Sequence, residues 1–83
     1  MDTAARIRQL RWRSKRGLLE LELLLVPFVE SCLSELSPSE LEHYGRLLEH
    51  DDLDLYDWLR GVNTAGDPSL HPIIDRIRRL HPR

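Results

Sequence analysis

The sequence has a single cysteine, Cys32, among its 83 residues. One cysteine can form no disulfide within the chain, so we expect a reducing compartment. Cys32 falls on the apolar side of a predicted helix, which favours a small core residue over a nucleophile. The four histidines show no HExxH spacing and have no cysteine pair beside them. We therefore expect no zinc site.

Glycine is also scarce, and long apolar runs are missing. The four glycines stand singly, so there is no glycine-rich loop to hold a phosphate, and an enzyme acting on nucleotides is not supported. The longest apolar run begins at Leu18 and is interrupted by Glu20, Glu22 and Pro27, so it is too short for a membrane span. No signal peptide is apparent, and cytoplasmic is the expected location.

The period-two alternation typical of strands is absent as well, whereas helical spacing recurs along the chain. The sequence predicts an all-α protein: a compact, small, single-domain bundle of about five helices over residues 1–83. The first helix is basic and the second, being apolar on a broad face, is central. The helices are expected over about 3–13, 17–33, 38–49, 52–60 and 68–80.

Several residues predict where these helices begin, end or bend. Ser37, followed by a proline and by Glu40, is typical of a capping box, and Gly61 is a plausible C-terminal cap. Pro27 predicts a kink or break in the second helix because it lacks the N–H group. The fifth helix begins at Pro68 or, if Pro72 delays it, at about residue 71. Its apolar face is expected to include Leu70, Ile73, Ile74, Ile77 and Leu80.

Charge is strongly segregated along the chain, although its net value is only −2. Residues 1–16 carry six basic side chains and one acidic one. Residues 17–59 carry eleven acidic and one basic, and residues 60–83 carry five basic and two acidic. This pattern indicates either an internal dipole or two different partner surfaces. Nucleic-acid binding by the basic start is disfavoured, since that footprint is small and the whole chain is acidic.

The junction between the first two helices is the strongest candidate site. Gly17 has no side chain and would let a partner surface approach closely. If a helix opens at Gly17, Arg16 and Glu20 project to one side as a charge pair. The alternative is an ordinary loop-to-helix joint with a surface ion pair. Trp12 either packs inward, which we favour, or serves as an exposed anchor.

A second candidate is the acidic run that precedes and opens the fourth helix. It has three interpretations: acids favoured by a helix N-terminus, a docking surface for a basic partner, or an internal counterpart to the arginines of the first helix. A calcium loop does not fit, because the D-x-D-x-D-G spacing is absent. The run comprises Glu49, Asp51, Asp52, Asp54 and Asp57.

These motifs together resemble one known family, the succinate dehydrogenase flavinylation factors or SdhE family. The resemblance covers residues 7–59 well and residues 60–83 only as a terminal helix. It rests on Trp12, on Arg16-Gly17-x-x-Glu20, on Pro27-Phe28, and on Leu47-Leu48-Glu49-x-Asp51-Asp52-x-Asp54-Leu55-x-x-Trp58-Leu59.

The resemblance implies an assembly factor of five helices that is not itself an enzyme and holds no cofactor stably. Such factors bind the flavoprotein subunit of succinate dehydrogenase and, where present, of fumarate reductase, and promote covalent attachment of FAD to a histidine there. By position, Arg16, Gly17 and Glu20, with Trp12, would contact that subunit. Glu49, Asp51, Asp52 and Asp54 would form a second contact region. The alternative is an antitoxin-like or nucleic-acid-binding regulatory module, whose affinity would fall steeply with salt.

Overall fold

A computed structural model describes residues 2–81 and contains five α-helices joined by short connections. No strand occurs among the described residues, so the predicted all-α bundle is confirmed. None of the described helices is long and apolar enough to cross a membrane. The helices are α1 (Thr3–Arg13), α2 (Leu19–Cys32), α3 (Pro38–Leu47), α4 (Asp52–Arg60) and α5 (His71–Arg78), with 3₁₀ turns at Leu33–Glu35 and Pro68–Leu70.

The core is built around α2, as its broad apolar face predicts. Leu21, Leu25 and Phe28 on that face are fully buried, and each such side chain stabilises the fold by about 1.5–3 kcal/mol. The Phe28 ring packs against Tyr44 of α3, with ring centres 5.3 Å apart. Leu10 of α1 and Ile77 of α5 close the same core. Cys32 is partly buried against it, in agreement with a packing role.

Of the kink or break predicted at Pro27, the break is not found, because α2 continues through this residue to Cys32. Pro27 lies on the exposed side of the helix, and so does Leu23, the residue four positions earlier whose carbonyl loses its usual donor. Water can reach that carbonyl, which makes the missing hydrogen bond tolerable. At its other end α2 begins at Leu19, two residues later than predicted.

The predicted helix ends are confirmed where the signal is local. Ser37 Oγ accepts from the Glu40 N–H at 3.1 Å, and the Glu40 carboxylate accepts from the Ser37 N–H at 2.8 Å, completing the capping box. Gly61 ends α4 in the left-handed region, with φ of 77°. The last helix uses both predicted starts, a 3₁₀ turn from Pro68 and then α5 from His71. Leu80, predicted to be on the core face, lies past the end of α5 and is exposed.

Candidate functional site

The Arg16 side chain lies in the connection between α1 and α2 and turns toward the protein rather than toward solvent. Its side chain is only 16% exposed. Nε donates to the Asp52 carboxylate at 2.8 Å. The two terminal nitrogens donate to three backbone carbonyls, those of Arg13 at 3.2 Å, Leu48 at 3.0 Å and His50 at 2.9 Å. Arg16 therefore ties this connection to the end of α3 and the start of α4.

The prediction that Arg16 and Glu20 form a charge pair is wrong. It required a helix opening at Gly17, whereas α2 opens at Leu19, so the two residues do not have the helical four-residue relation. Arg16 pairs with Asp52 instead, and its backbone N–H donates to the Glu22 carboxylate at 3.0 Å. Glu20 is exposed and forms no side-chain hydrogen bond within residues 2–81.

Gly17 presents bare backbone to solvent immediately after the anchored Arg16. The residue is exposed, and no heavy atom lies within 4 Å of the position that a Cβ would occupy. Leu19, which follows in the first turn of α2, is 66% exposed, and Glu20 lies beside it. This stretch thus offers an open backbone, an aliphatic side chain and a carboxylate to an incoming surface.

Trp12 is also part of the exposed surface, so the prediction that it packs inward is wrong. Its side chain is 72% exposed, with Lys15 Nζ 5.5 Å from the ring centre. The reason lies in helical geometry: Leu10 and Ser14, four residues apart, face the core, and the residue midway between them projects to the other side. The core obtains its large side chains from α2 and α3 instead.

A buried hydrogen bond fixes the end of α1 on α3, next to the site. The Ser14 hydroxyl donates to the Leu10 carbonyl at 2.8 Å and lies 2.6 Å from Tyr44 Oη. Because the single hydroxyl proton of Ser14 is already engaged, the Tyr44 hydroxyl must be the donor in this pair. Burial raises the pKa of Tyr44 to about 12. This contact helps to hold the Arg16 connection in place.

Each of the three interpretations of the acidic run applies to some of its residues. Asp52 is an internal counterpart, since it pairs with Arg16. Asp51 caps α4 by accepting from the Asp54 N–H at 3.0 Å, which is the helix-terminal role. Glu49 and Asp54 are exposed and form no side-chain ion pair within residues 2–81, so their carboxylates are the most open to a partner. Asp57 pairs on the surface with Arg60 at 3.1 Å.

One exposed residue beside the site was not identified from the sequence. Leu53 is 68% exposed in the first turn of α4. Its neighbour Asp52 contacts Arg16, so the turn that carries Leu53 lies alongside the Gly17 connection. The signal was present in the sequence, because Leu53 stands two residues before the buried Leu55 and is therefore off the core stripe of α4.

The remaining chemistry of the described residues is limited. Within residues 2–81 no three side chains of the metal-binding types come together. The basic footprint for nucleic acid is also smaller than the sequence indicates. Arg16 is turned inward, and Arg13 donates to the Gly45 carbonyl at 3.0 Å. Arg6 donates to the Gln9 side chain at 2.8 Å, so three of the six basic side chains of the first sixteen residues form hydrogen bonds with the protein itself.

Comparison of the chain with known proteins identifies one family. The family model described as "Flavinator of succinate dehydrogenase" matches residues 8–81, which extends beyond the motifs in residues 7–59. The protein named FAD assembly factor SdhE in Vibrio cholerae is 36% identical over 77 residues, covering 93% of this chain and 90% of that protein. The protein of the same name in Coxiella burnetii is 38% identical over 73 residues, covering 88% and 89%. The chain therefore belongs to the family of succinate dehydrogenase flavinators, the SdhE FAD assembly factors.

Proposed function

We propose that this protein binds the flavoprotein subunit of succinate dehydrogenase and promotes covalent attachment of FAD to it. Family membership supports the general role, and one structural observation supports the place of contact. Gly17 is exposed, with no heavy atom within 4 Å of the position that a Cβ would take, directly after a side chain that is anchored by four hydrogen bonds. A rigid, open backbone segment of this kind suits close approach by another protein surface.

Within this proposal the motif residues have different tasks. Gly17 and Glu20 contact the flavoprotein, Gly17 by allowing close approach and Glu20 by offering an exposed carboxylate. Trp12 supplies a large exposed ring at the edge of the surface. Arg16 and Asp52 position the surface through their 2.8 Å ion pair and do not themselves reach the partner.

The second contact region is narrower than the acidic run. Glu49 and Asp54 are exposed and free of side-chain ion pairs within residues 2–81, whereas Asp51, although exposed, uses one carboxylate oxygen to cap α4. Leu53 lies between the cap and Asp54 and adds an apolar contact. The first turn of α4 therefore extends the surface that begins at Gly17.

The mechanism that we propose is positional. Binding stabilises a conformation of the flavoprotein in which the acceptor histidine and the flavin are aligned, and such orientation lowers the barrier without a proton passing through the factor. The bond-forming chemistry belongs to the flavoprotein, and the factor holds no cofactor of its own. We extend the proposal to the flavoprotein of fumarate reductase, for which the same assays apply.

A binding experiment with matched variants tests the contact surface. Gly17→Arg places a long side chain in the approach path, where the structure has room for it, so the fold should be retained and association with the purified flavoprotein lost. Gly66→Arg is the control, because Gly66 is equally exposed and has no heavy atom within 4 Å of a Cβ position. Normal association of the Gly17→Arg variant would refute the placement of the surface.

A further inference from the structure

An open cleft of about 820 Å³ lies between α2, the end of α4 and α5, and nothing in the proposed function uses it. Its floor is aliphatic, formed by the half-buried Leu24 and the buried Leu59, and the 62% exposed Val62 adds to the apolar lining. Its rim is basic, formed by Arg60, Arg78 and Arg79. The cleft therefore places guanidinium groups next to aliphatic side chains.

Two of these arginines have no anion within the described protein. Arg60 is engaged with Asp57 at 3.1 Å and lies over the Tyr56 ring. Arg78 and Arg79 are exposed and form no ion pair with any of residues 2–81. The cleft lining contains one acidic residue, Asp75, so its fixed charges sum to an excess of positive charge.

The Arg78 guanidinium lies beside the backbone at the end of α4. A Cβ built on Gly61 would lie 2.5 Å from Arg78 Nη2, so the guanidinium rests against the bare backbone at the end of α4. His81 closes the neighbouring edge, with its Nε2 2.9 Å from the Leu24 carbonyl, to which it must donate. Arg78 and His81 thus both lie at the edge of the cleft.

We propose that this cleft docks an acidic peptide segment that carries an apolar side chain. The guanidinium groups of Arg78 and Arg79 can each bind a carboxylate of the peptide through two N–H groups. The aliphatic floor of the cleft accepts the apolar side chain. A nucleic acid fits less well, because no Phe, Tyr or Trp among residues 2–81 lines the cleft to stack on a base. A compact phosphate also fits less well, because α4 and α5 reach the cleft with their C-terminal ends, which offer no free N–H groups.

The arginines could also be placed at this cleft because they stabilise the C-terminal ends of α4 and α5. This explanation must be distinguished from docking. A cation in the last turn of a helix is favourable, which accounts for one arginine at each helix end. It does not account for two guanidinium groups at one cleft that form no ion pair with any of residues 2–81. The two explanations predict different effects of removing an arginine. Loss of a cation that only stabilises a helix end lowers the stability of the fold, whereas loss of a docking cation lowers the affinity for the peptide.

The test is an NMR titration of the isotope-labelled protein with a synthetic peptide of alternating glutamate and leucine. The amide shifts should change around Leu24, Val62 and Arg79. The double variant Arg78→Glu/Arg79→Glu should weaken binding about tenfold or more, a change of about 1.4 kcal/mol, and a thermal melt should show it folded. The charge-matched control is Arg8→Glu/Arg11→Glu on the exposed side of α1. It should bind within about twofold of the wild type, because neither residue lines the cleft and exposed charges are screened at about 0.15 M salt.

Three results would overturn the inference. The first is a shift pattern located elsewhere on the protein. The second is equal weakening by both double variants, which would indicate net charge alone. The third is a wrong ligand preference. The glutamine version of the peptide would then bind as tightly as the glutamate version. Alternatively, inorganic pyrophosphate or a single-stranded oligonucleotide would bind at the cleft and the acidic peptide would not. None of these outcomes depends on the flavoprotein, so the proposed function stands or falls separately.

Discussion

Replacing Arg16 with alanine tests whether this motif residue stabilises the fold or meets the partner. The structure gives its guanidinium four hydrogen bonds, one to the Asp52 carboxylate and three to backbone carbonyls, at 2.8–3.2 Å. Hydrogen bonds to charged groups contribute roughly 1.5–3 kcal/mol each in mutational series. The four do not add, because water reaches the carbonyls once the side chain is removed and Asp52 is 29% exposed.

We therefore expect Arg16→Ala to lower the free energy of unfolding by about 3 kcal/mol. In a domain of this size about 1 kcal/mol corresponds to roughly 4–8 °C, so the melting midpoint should fall by roughly 12–24 °C. Arg16→Lys keeps a charge beside Asp52 but loses the planar fork, and it should recover only about 1 kcal/mol. Arg11→Ala is the control, since Arg11 is exposed and makes no side-chain hydrogen bond within residues 2–81.

Urea unfolding followed by circular dichroism measures these changes, with the dependence on denaturant checked for a constant slope. The control should stay within about 0.5 kcal/mol of the wild type. If Arg16→Ala also stays within about 0.5 kcal/mol of the wild type yet no longer binds the flavoprotein, the positioning role is refuted and Arg16 is a direct contact.

Two further predictions concern the fold around the site. Gly61→Ala should cost about 1–2 kcal/mol, because Gly61 has φ of 77°, a conformation that a Cβ disfavours. Gly66→Ala, with open space around the Cβ position, should be close to neutral in the same urea assay. The raised pKa of Tyr44 means that its neutral form is favoured by folding, so this stability is fully present below about pH 10 and is lost as the pH rises toward about 12. Tyr44→Phe should flatten that alkaline decline in unfolding experiments, and an unchanged decline would contradict the assignment.

Local signals in the sequence were sufficient for most of the helix boundaries. The capping box at Ser37 and the left-handed cap at Gly61 are determined by residues within one turn, so the sequence contains what is needed to predict them. The core face of α2 follows from its periodicity in the same way. The continuity of α2 through Pro27 could not be predicted, because the neighbouring Leu23 and Val26 are apolar and only the packed structure shows that this side of the helix is exposed.

The candidate site was predicted less completely, because its decisive contacts join distant parts of the chain. Arg16 lies 36 residues before its carboxylate partner, and no spacing rule connects the two. The motif groups Arg16, Gly17 and Glu20 together, but the structure exposes Gly17 and Glu20 and turns Arg16 inward. The orientation of Trp12 could not be predicted, because the first helix has too narrow an apolar stripe to decide it from periodicity alone.

The most direct measurement of the central claim is the amount of covalently bound flavin in the succinate dehydrogenase flavoprotein, with and without this protein. In-gel flavin fluorescence under denaturing conditions detects only attached cofactor. We expect a strong rise with the wild-type protein and with Gly66→Arg, and no rise with Gly17→Arg, because that side chain obstructs the approach to an otherwise intact surface. A folded flavoprotein whose covalent flavin does not increase with the wild-type protein would contradict the proposed function.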